Sequence, residues 1–231
     1  MYLKLVETVE KNFDIYILFT ESMKKIVNVK NKPYLVMEGI FNNEFDLAPS
    51  TKNKAIMHAG TLSHEYGVGN IIEAFLKIQD DNLELWLFGD GNMREAIEVA
   101  SSVDSRIHYF GFKPQKEVFE YEKKAMLLIN VRNPRDLYTK YSFPSKTFEY
   151  MVSGTPFLTT KLEGIPSEYY NYIYTIESNE VDLVKEKILG VLGKSQRELD
   201  EFGENARNYV LNNKNTNMQL AKVVKLLKNN M

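Results

Sequence analysis

From residue 54 onward, short apolar runs alternate with amphipathic stretches, and this rhythm narrows the possible folds more than any other feature of the chain. The runs AIMHAG, LELWLFG, RIHYFG, AMLLINV, TPFLTT and YIYTI read as buried strands. Between them GNIIEAFLKI, NMREAIEVASS, PQKEVFEYEKKA and FPSKTFEYMVSG carry helical periodicity. Strands alternating with helices of this length predict βαβ units and a parallel sheet. Strands that are apolar along their whole length belong in a sheet covered on both faces. With right-handed crossovers the expectation is an α/β fold, a Rossmann-like three-layer α/β/α domain. The last 50 residues read as helices, over 181–193, 195–213 and 215–229.

Residues 1–48 fit this domain less well. DIYILFT, ESMKKIVN and PYLVMEG read as strand, helix and strand, followed by the turn-rich linker FNNEFDLAPSTKNK. Two readings stand: an extra βαβ edge of the same sheet, or the tail of a preceding domain. The expected division is therefore 1–48 and 49–231.

Composition sets the outer limits. The 231 residues suffice to bury a core, and 44% hydrophobic with 26% charged residues is ordinary for a globular protein. A net charge of −2 gives no global field for nucleic acid, so any anion site must be local. The absence of cysteine excludes a disulfide scaffold, a zinc–thiolate site and a Cys nucleophile. No run approaches the roughly 20 apolar residues of a membrane span. The opening MYLKLVETVEKNFD carries acids where a signal peptide is apolar. A cytoplasmic protein is expected.

The stretch YTKYSFPSKTFEYMVSGTPFLTT, residues 138–160, departs from packing chemistry. It follows a predicted strand and opens a helix, so it falls on the sheet edge where ligands bind. Pro144 suits a first helical turn, where its missing N–H costs nothing. Ser142 and Ser145 supply hydroxyls, and Lys146 a full positive charge. Arg132, Arg135 and Lys140 stand just upstream, so four cations surround a helix N-terminus, a pattern matched to phosphate or diphosphate. Glu149 lies one turn beyond Ser145. A carboxylate there repels phosphate but accepts hydrogen bonds from a ribose diol. Taken alone, Glu149 reads as a surface glutamate; its pairing with the cradle raises it.

HAGTLSHEYGVGN, residues 58–70, is a second candidate, where Gly60 lets a ligand or another backbone approach closely. Gly60, Gly67 and Gly69 do not make a G-x-G-x-x-G fingerprint. FGDGNM reads as a structural turn. His58 and His108 read as strand residues, and His64 as a loop residue. No D-x-D pair and no G-x-S-x-G elbow occurs. No metal is implied.

In order along the chain, AIMHAGTLSHEYGVGNIIEAF, LELWLFGDG, RIHYFGFKPQKEVFEYEKKA and YSFPSKTFEYMVSGTPFLTTKLEGIPSEY resemble the C-terminal, nucleotide-sugar-binding domain of glycosyltransferase family 4. These are retaining enzymes of the two-domain GT-B fold. The likeness covers residues 54 to about 228, and the last motif looks like the subset that assembles bacterial surface polysaccharides. The resemblance implies a UDP-sugar donor, no metal or other cofactor, and a glycan or lipid-linked acceptor at the inner face of the membrane. The family's Glu-x7-Glu motif maps its second, ribose-holding glutamate to Glu149 and its first to Tyr141. Its usual Arg and Lys in the first loop fall at Thr61 and Tyr66, and Arg132, Lys140 and Lys146 are candidates to replace them. Its base-binding loop puts Phe112 and Lys113 near the base. Residues 1–48 look like the end of the acceptor-binding half, most of which is absent from this chain. Either the chain is a piece of a longer enzyme or another chain supplies that half, and the exposed strand pair invites pairing with a partner or a second copy. Two rivals remain: a non-catalytic nucleotide-sugar-binding module, and a GT-B sugar-nucleotide 2-epimerase. A nicotinamide oxidoreductase ranks last, for want of the glycine fingerprint.

Overall fold

The computed structural model describes residues 12–27, 29–42 and 44–230; the acid-bearing opening, residues 1–11, lies outside them. Two short strands, β1 (Tyr16–Leu18) and β2 (Tyr34–Val36), pair in parallel as a sheet of their own. They are not an edge of the main sheet, the first of the two arrangements expected for this segment. The six strands that follow are β3 (Ala55–Ala59), β4 (Glu84–Phe88), β5 (Ile107–Gly111), β6 (Leu127–Asn130), β7 (Phe157–Thr160) and β8 (Tyr174–Ile176). They form one parallel sheet in the order β5-β4-β3-β6-β7-β8. Each falls within one of the six apolar runs.

The crossover helices are α1 (Val68–Leu76), α2 (Arg94–Val103), α3 (Gln115–Lys124), the short α4 (Leu137–Tyr141) and α5 (Lys146–Ser153). The C-terminal stretch gives α6 (Val181–Leu192), α7 (Gln196–Asn213) and α8 (Thr216–Lys228). Among the described residues no helix is long and apolar enough to cross a membrane.

Successive strand side chains alternate between faces, and both faces here are buried. Ile56, Leu85, Leu87 and Ile129 pack against Ile71 and Phe75 of α1, Ile97 of α2 and Ile188 of α6. Met57, Trp86, Phe88 and Leu128 pack on the other side against Phe119 of α3, Tyr150 and Met151 of α5 and Ala206 of α7. This is the three-layer Rossmann-like arrangement.

The N-terminal strand pair has a small cluster of its own, Tyr16, Leu18 and Val29. Beyond it the Phe41 N–H donates to the Lys214 carbonyl at 2.9 Å. The Lys214 ammonium, almost wholly buried, reaches Glu38 at 3.1 Å and Glu168 at 2.8 Å. The chain thus crosses to the main domain over an ion pair that three segments share.

The β3–β6 pairing stops at Met57–Leu128, so the end of β3 loses its ladder partner. Tyr150 of α5 replaces it. Its hydroxyl donates to the Ala59 carbonyl at 3.0 Å and accepts from the Ala59 N–H at 2.7 Å. We predict that Tyr150→Phe, which keeps the ring and deletes the hydroxyl, destabilises the fold by about 2 kcal/mol by orphaning buried backbone groups. Urea unfolding checks this; unchanged stability would mean that β3 does not depend on the tether.

Candidate functional site

The crossover from β3 and the one from β6 lead to opposite sides of the sheet order, so a crevice opens beyond their carboxyl ends. Two cavities occupy it, of about 570 and 210 Å³, and they share Ala59, Gly60, Thr61, Ser145 and Lys146. A larger cavity of about 670 Å³ lies at the opposite edge, among Lys52, Lys123 and Arg207. Its cations are already engaged. Lys52 donates to the Ala125 carbonyl, Lys123 to those of Asp46 and Ala48, and Arg207 to those of Val152 and Ser153. The crevice at the switch point is therefore the better candidate, on chemistry rather than size.

Close backbone packing shapes the crevice. Gly89 has φ +124°, and a Cβ there would sit 1.8 Å from the Gly60 carbonyl oxygen. Gly91 would likewise meet the Leu62 carbonyl at 2.2 Å. The FGDGNM turn is thus structural, as expected, but Gly89 and Asp90 also line the crevice cavity of about 570 Å³. Gly60, with φ +149°, brings the backbone of the first loop into the same wall.

Helix α5 carries the charged part. Ser145 precedes its first turn, and Lys146 and Glu149 lie one turn apart. Glu149 is buried, not a surface glutamate. One of its oxygens pairs with the Lys146 ammonium, and the other accepts from Gln115 Nε2 at 2.6 Å. Beneath this pair lies Glu122 of α3, fully buried, whose carboxyl burial raises well above the usual range, with the Glu149 charge adding to the shift.

The end of β6 supplies the second cation. Arg132 stacks over the Tyr66 ring at 4.6 Å and approaches the Tyr138 ring at 5.9 Å. The Tyr138 hydroxyl in turn donates to the Glu65 carbonyl. Burial pulls the Arg132 guanidinium below its ordinary value, and its Nε has no partner among the described residues. The aromatic bed holds the charge in place.

Of the residues singled out from sequence, Gly60, Thr61, Phe112, Lys113, Ser145, Lys146 and Glu149 line the crevice cavity of about 570 Å³. Phe112 is 82% exposed at its lip, free of the core. The expected fourfold cation cluster resolves into two, because Arg135 and Lys140 line neither cavity. Ser142 also lies outside; its hydroxyl donates to the Tyr138 carbonyl at the end of α4. Tyr141 closes α4 and borders neither cavity.

Sequence reasoning passed over Gln115 and Asn130, which line the cavities, and the buried Glu122 beneath them, and it took His58 for a strand residue alone. The one signal was that His58 and Asn130 interrupt apolar runs near strand ends. His58 is a buried strand residue, as expected, and its Nδ1–H donates to the Ile129 carbonyl at 2.9 Å, which leaves Nε2 as an unpartnered acceptor.

The family described as glycosyl transferases group 1 matches residues 40–209. No curated protein matches the chain. Among solved structures, the fold is similar to a TarM point mutant from S. aureus in complex with fondaparinux, alpha-GlcNAc-glycerol and UDP. The TM-score is 0.76 at 16% identity, over 96% of this chain and 45% of that one. It is similar also to the pneumococcal O-GlcNAc transferase GtfA in complex with UDP and GlcNAc, with TM-score 0.73, 13% identity, and 99% and 47% covered. HepE of Anabaena, in complex with UDP-glucose, gives TM-score 0.71 at 14% identity over 96% of this chain and 67% of that one. At such identities the likeness is one of fold. The chain spans less than half the length of the first two.

His58 yields a prediction. Burial, with the Arg132 and Lys146 charges adding, pushes it down to about 4. Between about pH 6.5 and 4 the unfolded chain binds a proton that the folded chain refuses. The stability is therefore complete above about pH 6.5 and lost as pH falls toward 4, by roughly 3 kcal/mol. Urea unfolding across this range, wild type against His58→Gln, should show the loss in the wild type alone.

Proposed function

The chain belongs to the glycosyl transferases of group 1, and from that premise we propose that the β3–β6 crevice holds the nucleotide of a UDP-sugar donor. The observation that carries this reading is the Lys146–Glu149 pair, a cation and a buried carboxylate one turn apart at a helix N-terminus, opening on the switch-point crevice. Lys146, Arg132 and the free N–H groups of α5 take the diphosphate. Glu149 accepts from the ribose hydroxyls, and Phe112 and Lys113 at the lip take the base.

Arg132 reaches the crevice from β6, over the ring of Tyr66. The first loop carries Thr61 and Tyr66 where the family's cations are expected, so a cation from a different strand takes over their task. Catalysis is then positioning together with stabilisation of the departing diphosphate by fixed cations and helix N–H groups. The sugar passes to the hydroxyl of a glycan or lipid-linked acceptor in surface-polysaccharide synthesis, with retention and without a metal.

The chain acts as the donor half of a GT-B enzyme, with the acceptor half preceding it or supplied by another chain. β1 and its flanks favour this, since Phe13, Ile17 and Phe19 are each about half exposed or more, whereas Tyr16 and Leu18 are buried. Such a face suits a continuing sheet or a partner subunit. The same observation favours a second reading, a nucleotide-sugar-binding module that turns over only with its partner.

Calorimetric titration with UDP, uridine and ADP tests the site. UDP is expected to bind more tightly than uridine, and more tightly than ADP. Lys146→Ala should weaken UDP by about tenfold beyond any loss for uridine, the size of one charge-assisted hydrogen bond. Equal losses for both ligands would remove Lys146 from the phosphate. Glu149→Gln should weaken uridine and UDP alike, and an unchanged uridine affinity would take Glu149 off the ribose.

A further inference from the structure

One carboxyl has no role in the nucleotide scheme. Glu122, in the last turn of α3, is 0% exposed, and neither of its oxygens has a hydrogen-bond partner among the described residues. Lys146 Nζ lies 3.6 Å from its Oε1, yet that ammonium is already bound to Glu149. One cation thus stands before two buried carboxyls.

The groups that face Glu122 leave it no other counter-ion. From α5 come Lys146, Glu149 and Tyr150, whose hydroxyl is committed to Ala59. On the neighbouring β3 the titratable side chain is His58, which burial keeps neutral. On its own helix, Lys123 turns away to the carbonyls of Asp46 and Ala48 and to Glu120. A buried carboxylate without donors is costly, and the economical state is the protonated one. The raised position of the Glu122 carboxyl agrees with the geometry.

We infer that Glu122 is a positioning residue that keeps its proton at neutral pH, leaving Lys146 paired with Glu149 alone and free to turn to a diphosphate. This rests on the nucleotide reading of the crevice. Were Glu122 ionised, Lys146 would be held between two buried carboxylates and withdrawn from the phosphate. Drawing Lys146 onto a diphosphate also leaves the two carboxyls without their cation, which favours the proton further. Both effects have one sign: diphosphate affinity falls as pH rises through the ionisation of Glu122.

The test combines two readouts. The first is the carboxyl ¹³C shift of Glu122 in the unliganded protein, assigned by its loss in Glu122→Gln. A protonated shift at about pH 7 is expected, and an ionised one overturns the inference. The second is calorimetric titration of UDP and uridine from about pH 7 to 8.5, where the phosphates of UDP are already ionised and the uracil N3–H is still largely in place. Wild-type affinity for UDP should fall by up to about tenfold per pH unit once Glu122 ionises, with uridine unaffected. In Glu122→Gln, whose amide mimics the neutral acid, UDP affinity should match the wild type within about threefold at pH 7 and show a flat profile above it. Coincident profiles, or a tenfold loss in the amide variant at pH 7, overturn the positioning role. The wild-type uridine comparison stands even if the variant does not fold, and the shift can then be assigned by residue-specific labelling and elimination. If neither UDP nor uridine binds, the nucleotide reading fails and takes the positioning role with it, while the carboxyl shift still decides whether Glu122 holds its proton.

Discussion

The two hydrogen bonds between the Tyr150 hydroxyl and the backbone of Ala59 hold the crevice open and hold its parts in register. A parallel sheet that reverses its winding must let two neighbouring strands diverge at their carboxyl ends. Here β3 and β6 part company after Met57 and Leu128. Backbone groups left over at such a place are expensive when buried. A phenol serves as both donor and acceptor, so one side chain satisfies an N–H and a C=O together. Because that side chain belongs to α5, the same contact docks the helix bearing Lys146 and Glu149 against the end of β3. His58 makes a second stitch across the gap, from β3 to the Ile129 carbonyl of β6.

Around this tether the protein concentrates charge that its composition does not advertise. A chain of net charge −2 places an arginine, a lysine and a glutamate along one crevice, with a second glutamate buried beneath them. Each is managed differently: Arg132 by aromatic faces, Lys146 by a carboxylate, Glu149 by an ammonium and an amide, and Glu122 by burial alone. Groups that are charged, buried and only partly satisfied by the protein are the ones a ligand completes. The cations at the opposite edge of the sheet show the contrast. Lys52, Lys123 and Arg207 are saturated by carbonyls at chain turns and helix ends, and they hold the fold together.

The readable parts of the sequence were those governed by short-range rules. Six apolar runs gave six strands, and the turn at Pro144 and Ser145 did open a helix with Lys146 and Glu149 on it. Less readable were the groups brought in from far along the chain. Gln115 reaches Glu149 across 34 positions, and Arg132 finds Tyr66 in a different loop. Arg135 and Lys140 follow Arg132 closely in sequence, but Arg135 lies in the turn before α4 and Lys140 on α4 itself, and neither borders the crevice. Likewise the strand–helix–strand signal of the first 48 residues was legible, while the choice between an edge of the main sheet and a sheet of its own stayed open from the residues alone.

By itself the sequence determined the class of fold and pointed to the edge of the sheet where the candidate site lies. Alternation along a strand and period along a helix are properties of neighbouring residues, and they oblige both faces of this sheet to be covered. Only the tertiary structure decided which charges share the crevice and which carboxyl lies beneath them. Those pairings arise from strand order and from where each crossover docks, and burial, the quantity that sets their protonation, exists only once the layers have closed.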